Sequence, residues 1–227
     1  MNVVEERFEG VFLINGRIAT RSLAPGKKVY GERVAVVDGE EYRFWDPYRS
    51  KLSAAILHGL KELPIKPNSS VLYLGAASGT TASHVSDIVG LEGVVYCVEF
   101  APRVMRDLLE VCSARPNMVP IMADARKPEE YASYINQKVD VIYEDVADPE
   151  QARIMLSNAR MFLKKGGAAL IAIKSQSIDV SKRPTEVYKN VIDELGAAFE
   201  VVERIDLNPF DRDHLFVSLR YKGMKNG

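Results

Sequence analysis

Apolar and polar residues alternate over the first part of the chain, and this pattern predicts a small antiparallel β-sheet. Within residues 11–45 the alternation is broken at Asn15-Gly16 and at Asp38-Gly39, two pairs typical of tight β-hairpin turns. A helical pattern follows at about Ser50–Leu63, where the apolar residues fall on one face. Because proline cannot continue a helix, Pro64 marks the end of this element.

From residue 71 onward, short apolar runs alternate with helical periodicity, which predicts a parallel sheet with helices on both faces. The predicted strands are Val71–Leu74, Val94–Val98, Met118–Met122, Val139–Glu144 and Ala168–Ile173. A helix is predicted after the first strand, ending at Gly90, and others at Pro102–Ala114, Pro128–Asn136, Pro149–Leu163 and Thr185–Leu195. Two last β segments, Phe199–Leu207 and His214–Tyr221, suit an antiparallel pair at the sheet edge. The predicted fold class is therefore α/β and doubly wound.

The stretch VLYLGAASGTTASHVSDIVG, residues 71–90, runs from a strand through small residues into a helix, as nucleotide-binding turns do. Gly75 and Gly79 allow the backbone to approach a ligand closely. The spacing is neither G-x-G-x-x-G nor a phosphate loop with G-K-[ST], so hydride and phosphoryl transfer are disfavoured. A turn of this kind also occurs in proteins that bind nothing there, so residues elsewhere must decide.

Composition changes this picture little. With 227 residues, of which 47% are hydrophobic and 27% charged, the chain has the make-up of an ordinary globular protein. Cys97 and Cys112 have neither a C-x-x-C spacing nor nearby histidines, so no metal site and no disulfide framework is predicted. No segment is apolar enough to span a bilayer, and we expect a cytoplasmic protein.

The charge pattern argues against strong unaided binding of nucleic acid. The formal net charge is -1, so any such binding is local or shared with partners. Basic residues cluster at Arg17, Arg21, Lys27 and Lys28, at Arg49 and Lys51, and at Lys182 and Arg183. Clusters of this kind most often form a solvated face, and the sequence leaves that alternative open.

Polar residues follow the predicted strands at their carboxyl ends, where open α/β sheets bind their ligands. Glu99 lies about twenty residues beyond the glycine turn, where an acidic side chain accepts hydrogen bonds from a ribose. Asp124 and Asp145 end the next two strands, although each also fits a helix cap. Three acidic strand ends suit adenosine without a pyrophosphate. They favour S-adenosylmethionine, whose sulfonium is positive.

Lys174 ends the apolar run LIAIK, which delivers an amine to the same edge of the sheet. A partly desolvated amine at this position can serve as a general base. The alternative is a lysine that extends from a buried strand into water.

Six strings together identify a resemblance: WDPYRSKL, VLYLGAASGTTASHVSD, VYCVEF, YEDVADPEQ, AIKSQSID and PFDRDHLFV. They resemble the fibrillarin family over nearly the whole chain, and the shorter archaeal type in particular. The resemblance implies a Rossmann-like class I methyltransferase fold with a mostly parallel seven-stranded sheet flanked by helices. It further implies a small N-terminal β-hairpin domain over residues 1–48 and a methyltransferase domain over residues 49–227.

The resemblance also implies an activity: guide-RNA-directed transfer of a methyl group from S-adenosylmethionine to ribose 2'-hydroxyls of rRNA and tRNA. The implied partners are a box C/D guide RNA, the target RNA, a Nop5-type scaffold protein and, indirectly, an L7Ae-type RNA-binding protein. A catalytic tetrad is implied at Lys51, Asp145, Lys174 and His214. In this hypothesis Lys174 is the base and Asp145 orients it. The other two position the hydroxyl or its phosphate, although alone each fits an ordinary surface or strand-end residue.

The cofactor contacts implied by the same matching are Tyr73, Gly75, Ala77, Thr80, Thr81, Glu99, Phe100, Asp124, Ala125, Asp145 and Gln151. One tension remains, since the carboxylate of Asp145 favours the protonated form of Lys174, whereas the sulfonium and Lys51 oppose it. Two other functions stay open. One is a methyltransferase for small hydroxylated molecules, and the other is a non-catalytic ribonucleoprotein subunit, which would be expected to have lost tetrad residues.

Overall fold

The computed structural model describes residues 4–223, and two β-sheets organise this part of the chain. The N-terminal sheet is antiparallel and contains β1 (Val4–Phe8), β2 (Val11–Ile14), β3 (Arg17–Arg21), β4 (Val34–Val37) and β5 (Glu40–Phe44). Its spatial order is β1-β2-β3-β5-β4. The outer ends of the two predicted domains, residues 1–3 and 224–227, lie outside the described residues.

The two predicted hairpins are present, and the turn residues explain them. Asn15 and Gly16 have φ angles of 50° and 77°, and Asp38 and Gly39 have 51° and 86°. Both central residues of each turn are thus left-handed, as a two-residue type I′ turn requires. β1 was not predicted, because its exposed middle residues carry no clear alternation.

The central sheet contains β6 (Ser70–Leu74), β7 (Val94–Glu99), β8 (Met118–Met122), β9 (Val139–Glu144), β10 (Leu163–Lys174), β11 (Phe199–Asp206) and β12 (His214–Tyr221). Its order is β11-β12-β10-β9-β6-β7-β8. β12 runs antiparallel to both of its neighbours, and the other pairings are parallel. The sheet is therefore mostly parallel and seven-stranded, as expected.

Helices cover both faces of this sheet: α1 (Lys51–Leu57), α2 (Thr80–Val89), α3 (Pro102–Ser113), α4 (Gln151–Phe162), α5 (Ser175–Ile178) and α6 (Pro184–Leu195). Two predicted helices differ. α1 stops at Leu57 because Gly59 takes a left-handed conformation, and residues Pro128–Tyr134 form a 3-10 helix.

Two hydrophobic clusters lie on opposite faces of the central sheet. One packs residues of α1, α2 and α3, such as Leu52 and Leu108, and the other packs residues of α4 and α6, such as Met155 and Val191. The first cluster also contains Trp45 and other residues of the N-terminal part, so the two sheets share one core. The division of the chain into domains after residue 48 stays a prediction.

A buried network of charges joins the N-terminal sheet to α2 and α3. Arg43 of β5 forms ion pairs of 2.7 Å with Glu32 and with Asp87, and Arg115 pairs with the other oxygen of Asp87 at 2.6 Å. All four side chains are buried. Because the two positive and two negative charges lie in direct contact, each compensates the desolvation of its neighbours.

His84 lies beside this network in a single tautomer. The hydroxyl of Thr20 donates to Asp87, so it accepts the Nδ1–H of His84 at 2.7 Å. The other ring nitrogen then accepts from the Tyr30 hydroxyl at 2.8 Å, and the Trp45 ring stacks on the imidazole at 4.7 Å. Complete burial, together with the nearby guanidinium charges, holds the pKa of His84 well below its ordinary value of 6.5.

Candidate active site

A cavity of about 340 Å³ opens at the carboxyl ends of the central parallel strands. The predicted site residues among those that line it are Gly75, Ala77, Glu99, Phe100, Asp124, Ala125, Asp145 and Lys174. The structure thus brings together most of the predicted cofactor contacts from four different strand ends. This is the position at which open α/β sheets hold their ligands.

Gly75 forms the closest approach between the turn and the end of β9. A Cβ atom at this position would lie 2.9 Å from the carbonyl oxygen of Asp145, and the φ angle is +79°. The Asp145 N–H in turn donates to the carbonyl of Leu74 at 3.0 Å. Only glycine fits here, and the turn is therefore fixed directly against the backbone of a predicted catalytic residue.

Glu99 ends β7 with its carboxylate held across the turn. One oxygen accepts the backbone N–H of Ala77 at 3.0 Å and the other accepts that of Ala101 at 2.8 Å. The residue is 8% exposed, so the carboxylate is fixed in direction at the wall of the cavity. Each oxygen keeps further acceptor capacity, which suits the two neighbouring hydroxyls of a ribose. This fixed pair of acceptor oxygens therefore fits an adenosine-containing ligand.

Asp124 lies at the adjoining strand end beside a partner that the sequence did not indicate. Arg126 binds both of its carboxylate oxygens, with a shortest distance of 2.7 Å. These hydrogen bonds from Arg126 hold the pKa of Asp124 below its ordinary value. Phe100, 69% exposed at the same cavity, presents an open aromatic face. An aromatic face and a carboxylate acceptor suit a purine and its amino group.

Four predicted cofactor residues are not among the residues lining this cavity: Tyr73, Thr80, Thr81 and Gln151. Gln151 is fully buried and holds the backbone, since its amide bonds the N–H of Lys174 at 3.0 Å and the carbonyl of Ala172 at 2.9 Å. The Thr81 hydroxyl bonds Ser50, the N-cap residue of α1. Gln151 and Thr81 thus hold neighbouring backbone and side chains in place. Contact of these four residues with a cofactor stays a prediction.

The four predicted catalytic residues lie together beside the cavity. Lys174 places its amine 2.9 Å from one carboxylate oxygen of Asp145 and 3.0 Å from the carbonyl oxygen of the same residue. The Lys51 amine lies 3.2 Å from that carboxylate oxygen. One aspartate thus holds two lysine side chains, although 94 and 29 residues separate it from Lys51 and Lys174 in the chain.

Asp211 completes the cluster, and the sequence analysis did not single it out. Its carboxylate lies 3.3 Å from the Lys51 amine and 2.9 Å from Nδ1 of His214. Burial opposes ionisation, but the hydrogen bond from His214 and the charge of Lys51 keep the pKa of Asp211 below its ordinary value. The segment PFDRDHLF offers two aspartates within three residues, and the sequence gives no signal for choosing between them.

Strand pairing brings His214 to this edge. β12 is antiparallel to β10, and His214 pairs with Lys174 at the end of the ladder. The Nδ1 atom of the ring faces two acceptors, the Asp211 carboxylate and, at 2.7 Å, the Arg212 carbonyl. Nδ1 therefore carries a hydrogen, and Nε2 is the ring nitrogen left for contact with a substrate.

Lys51 keeps its positive charge within the cluster. Desolvation lowers the pKa of Lys51, but the attraction of Asp145 and Asp211 outweighs it and leaves that pKa above the ordinary value. Lys51 is therefore a fixed positive charge at the rim.

Among residues 4–223, no three His, Cys, Asp or Glu side chains are grouped so as to hold a metal ion.

The strand order, the glycine turn and the acidic strand ends define a class I S-adenosylmethionine-dependent methyltransferase fold. The fibrillarin family profile matches residues 3–223 of the chain. The chain therefore belongs to the fibrillarin family.

Individual relatives match over nearly their whole length. A fibrillarin-like rRNA/tRNA 2'-O-methyltransferase of Thermococcus gammatolerans is 58% identical over 223 residues, which cover 96% of this chain and 98% of that protein. Aeropyrum pernix fibrillarin, solved with natively bound S-adenosyl-L-methionine, gives a TM-score of 0.88 at 53% identity, over 96% of this chain and 99% of that chain. A fibrillarin solved in complex with Nop5p gives 0.88 at 42% identity, over 96% and 100%.

None of the helices within residues 4–223 is both long enough and apolar enough to cross a bilayer.

Proposed function

We propose that this chain transfers a methyl group from S-adenosylmethionine to ribose 2'-hydroxyls of rRNA and tRNA, directed by a guide RNA. The observation that carries the proposal is the pair of lysine side chains, Lys51 and Lys174, held on Asp145 beside a cavity that suits adenosine. The chain acts as the catalytic subunit of a box C/D ribonucleoprotein and resides in the cytoplasm.

The cofactor, when bound, supplies a methyl group on a positively charged sulfur, which an oxygen nucleophile can attack. Glu99 binds the ribose of the cofactor, since its two oxygens are fixed by backbone N–H groups and still accept hydroxyl hydrogens. Asp124 accepts from the adenine amino group, and Phe100 covers the ring. The carboxylates of the wall favour the positive charge of the sulfonium.

Lys174 takes the proton from the substrate hydroxyl. Its nitrogen donates two N–H bonds to Asp145, one to the carboxylate and one to the backbone carbonyl. To act as a base the amine is neutral, with two hydrogens and one lone pair. The two contacts to Asp145 use both hydrogens, so the lone pair occupies the remaining position and accepts the proton of the substrate hydroxyl. Gln151 fixes the backbone of Lys174 and so holds the amine in place.

Lys51 and His214 position the substrate. Lys51 stays protonated between Asp145 and Asp211, and its charge attracts the phosphate next to the reacting ribose. Because Nδ1 of His214 is held by Asp211 and the Arg212 carbonyl, Nε2 is the ring nitrogen that hydrogen-bonds the ribose or a bound water. Holding the hydroxyl in line with the methyl group accounts for much of the rate gain expected of such a site.

A net charge of -1 makes unaided binding of a long RNA weak, so partners supply much of the affinity. We propose a Nop5-type scaffold protein, because a relative 42% identical was solved with Nop5p. The guide RNA and an L7Ae-type protein complete the particle, the latter without direct contact to this chain.

The test measures methyl transfer in a single turnover by Lys174→Ala within the reconstituted particle. We expect the rate to fall by about 10² to 10⁴ while the affinity for S-adenosylmethionine stays unchanged. Lys189→Ala, an exposed lysine of α6, is the matched control. A Lys174→Ala rate near that of the wild type would refute the role of the base.

An assay with labelled S-adenosylmethionine, run with and without the guide ribonucleoprotein, then distinguishes guide-directed methylation of RNA from the alternative functions. We expect label on one guide-selected ribose of the target RNA. Label on free RNA without the particle would contradict guide dependence, and absence of any transfer would contradict an enzymatic role.

A further inference from the structure

A second cavity, about 660 Å³ in volume, lies between the N-terminal sheet and the start of α1. We call it the N-terminal cavity, and the lining residues that matter here are Arg17, Tyr30, Arg33, Phe44, Tyr48 and Arg49. It is roughly twice the volume of the cavity beside the catalytic cluster. Its size falls in the range of sites that hold nucleotide-sized groups.

The N-terminal cavity is positively charged. Arg17, Arg33 and Arg49 are exposed, and within residues 4–223 none of them has a carboxylate at ion-pair distance. Of the two lining carboxylates, Glu32 is already neutralised by the buried Arg43, and Asp46 accepts the backbone N–H of Tyr48. Unpaired guanidinium groups in a concave surface attract phosphate, which they bind through paired N–H donors.

Aromatic rings interleave with these arginines. The guanidinium of Arg49 lies 5.5 Å above the Tyr30 ring, and that of Arg17 lies 5.1 Å above the Phe44 ring. Tyr48 is 69% exposed. Guanidinium groups placed over aromatic rings, together with an open tyrosine, form the kind of surface on which unpaired bases of single-stranded RNA stack. An acidic protein segment would use the arginines but leave the aromatic rings unexplained.

The N-terminal cavity leads to the catalytic cluster. Arg49 precedes Lys51 by two residues, so their Cα atoms lie within about 7 Å of each other. The Tyr48 ring packs edge-on against Phe210 at 5.0 Å, and Phe210 is followed by Asp211. A strand whose ribose reaches Lys174 therefore has its neighbouring nucleotides at the mouth of this cavity.

We infer that the N-terminal cavity binds the substrate RNA strand where it leaves the segment paired with the guide RNA, with phosphates on Arg17, Arg33 and Arg49 and an unpaired base stacked on Tyr48. The inference rests on the proposed function for its substrate class. It assigns to the N-terminal sheet and the segment before α1 a direct part in substrate binding, in addition to the packing of β3 on α2.

The test compares Arg17→Ala/Arg33→Ala/Arg49→Ala with Lys165→Ala/Lys189→Ala/Arg204→Ala, in which three exposed cations elsewhere are removed. Both variants change the net charge equally. We expect the arginine variant to bind labelled single-stranded RNA at least about tenfold more weakly. The slope of log affinity against log salt is expected to fall by about 2, which corresponds to three lost phosphate contacts. The control is expected to keep the wild-type slope.

Within the reconstituted particle, the arginine variant is expected to raise KM for the target strand and to keep kcat at saturating RNA. An unchanged KM and salt slope would overturn the inference. Loss of scaffold-protein binding with RNA affinity unchanged would also overturn it, because the cavity would then be a protein-docking site. Particle assembly is checked by gel filtration before the kinetics.

Photo-crosslinking locates the strand without relying on catalysis. Target RNAs carry 4-thiouridine at single positions on either side of the methylated nucleotide, and crosslinked peptides are identified by mass spectrometry. We expect crosslinks to Tyr30 or Tyr48 from a flanking position, and their absence from every position would overturn the inference. If the wild type forms these crosslinks but transfers no methyl group, the proposed reaction is refuted and the inferred RNA-binding surface still stands.

Discussion

Mild acid should destabilise this protein through one buried histidine. His84 is fully buried and neutral, between Thr20 and Tyr30 and beneath the ring of Trp45. In the unfolded chain the same imidazole binds a proton below its ordinary pKa of 6.5. Since the unfolded state then binds more protons than the folded state, the free energy of unfolding falls as the pH falls.

The magnitude follows from a single proton. With an ordinary pKa in the unfolded chain and a pKa well below it in the fold, His84 alone lowers the free energy of unfolding by about 2 kcal/mol between about pH 7 and about pH 5. For a protein of this size that corresponds to a drop in Tm of about 4 to 8 °C. Burial raises the pKa of Glu144 and acts in the opposite direction, so the contribution of His84 is measured as a difference between variants. Carboxyl groups with lowered pKa values, such as Asp211, contribute stability that is lost only as the pH falls below 3.8.

Urea unfolding at the two pH values measures this effect. The variant His84→Gln removes the titrating ring, and we expect the change in its free energy of unfolding from the higher to the lower pH to be about 2 kcal/mol more favourable than that of the wild type. His58→Gln, which removes an exposed histidine, is the matched control and should retain the wild-type loss. Equal losses in the wild type and His84→Gln would refute the reasoning, whatever the absolute stability of the variant.

Three further predictions concern carboxylates. Asp87→Asn leaves two buried guanidiniums without their shared charge and should cost about 3 to 5 kcal/mol in urea unfolding, whereas the exposed Asp193→Asn should be neutral. Asp211→Asn should lower the single-turnover rate about tenfold to a hundredfold with cofactor affinity unchanged, because two catalytic side chains lose their common anchor; an unaltered rate would contradict this. Glu99→Gln should weaken S-adenosylmethionine binding by about 1.5 to 3 kcal/mol in calorimetry, and Glu110→Gln should leave it unchanged.

Local signals in the sequence were enough to predict most strands of the fold and its hairpin turns. The hairpin at Asn15-Gly16 and the strands β8 and β9 follow from turn chemistry and short apolar runs, and each was placed correctly. The helix after residue 50 was drawn too long because its periodicity continues past Gly59, where the backbone turns left-handed. Helix ends depend on single backbone angles that periodicity does not register.

Long-range partners were the part that the sequence did not reveal. Arg43, Asp87 and Arg115 are residues of types usually found on a surface, yet they are buried because they meet one another between the N-terminal sheet and the helix layer of the central sheet. Asp211 was missed because one of its two partners, Lys51, is remote in sequence, although the other, His214, is only three residues away. The tetrad itself was found through the family resemblance, and Lys51 alone looked like an ordinary helix lysine.

The pairing of Lys174 with His214 has a consequence for protein synthesis. The ribosome completes the glycine turn and Glu99 when less than half of the chain exists, but β12 is synthesised last and inserts between β10 and β11. The lining of the cofactor cavity is complete once Lys174 has been synthesised, whereas the catalytic cluster still lacks Asp211 and His214 at that point. Because a slip of one residue in β12 would turn His214 to the opposite face, only a chain whose final strand has found its register becomes competent to react.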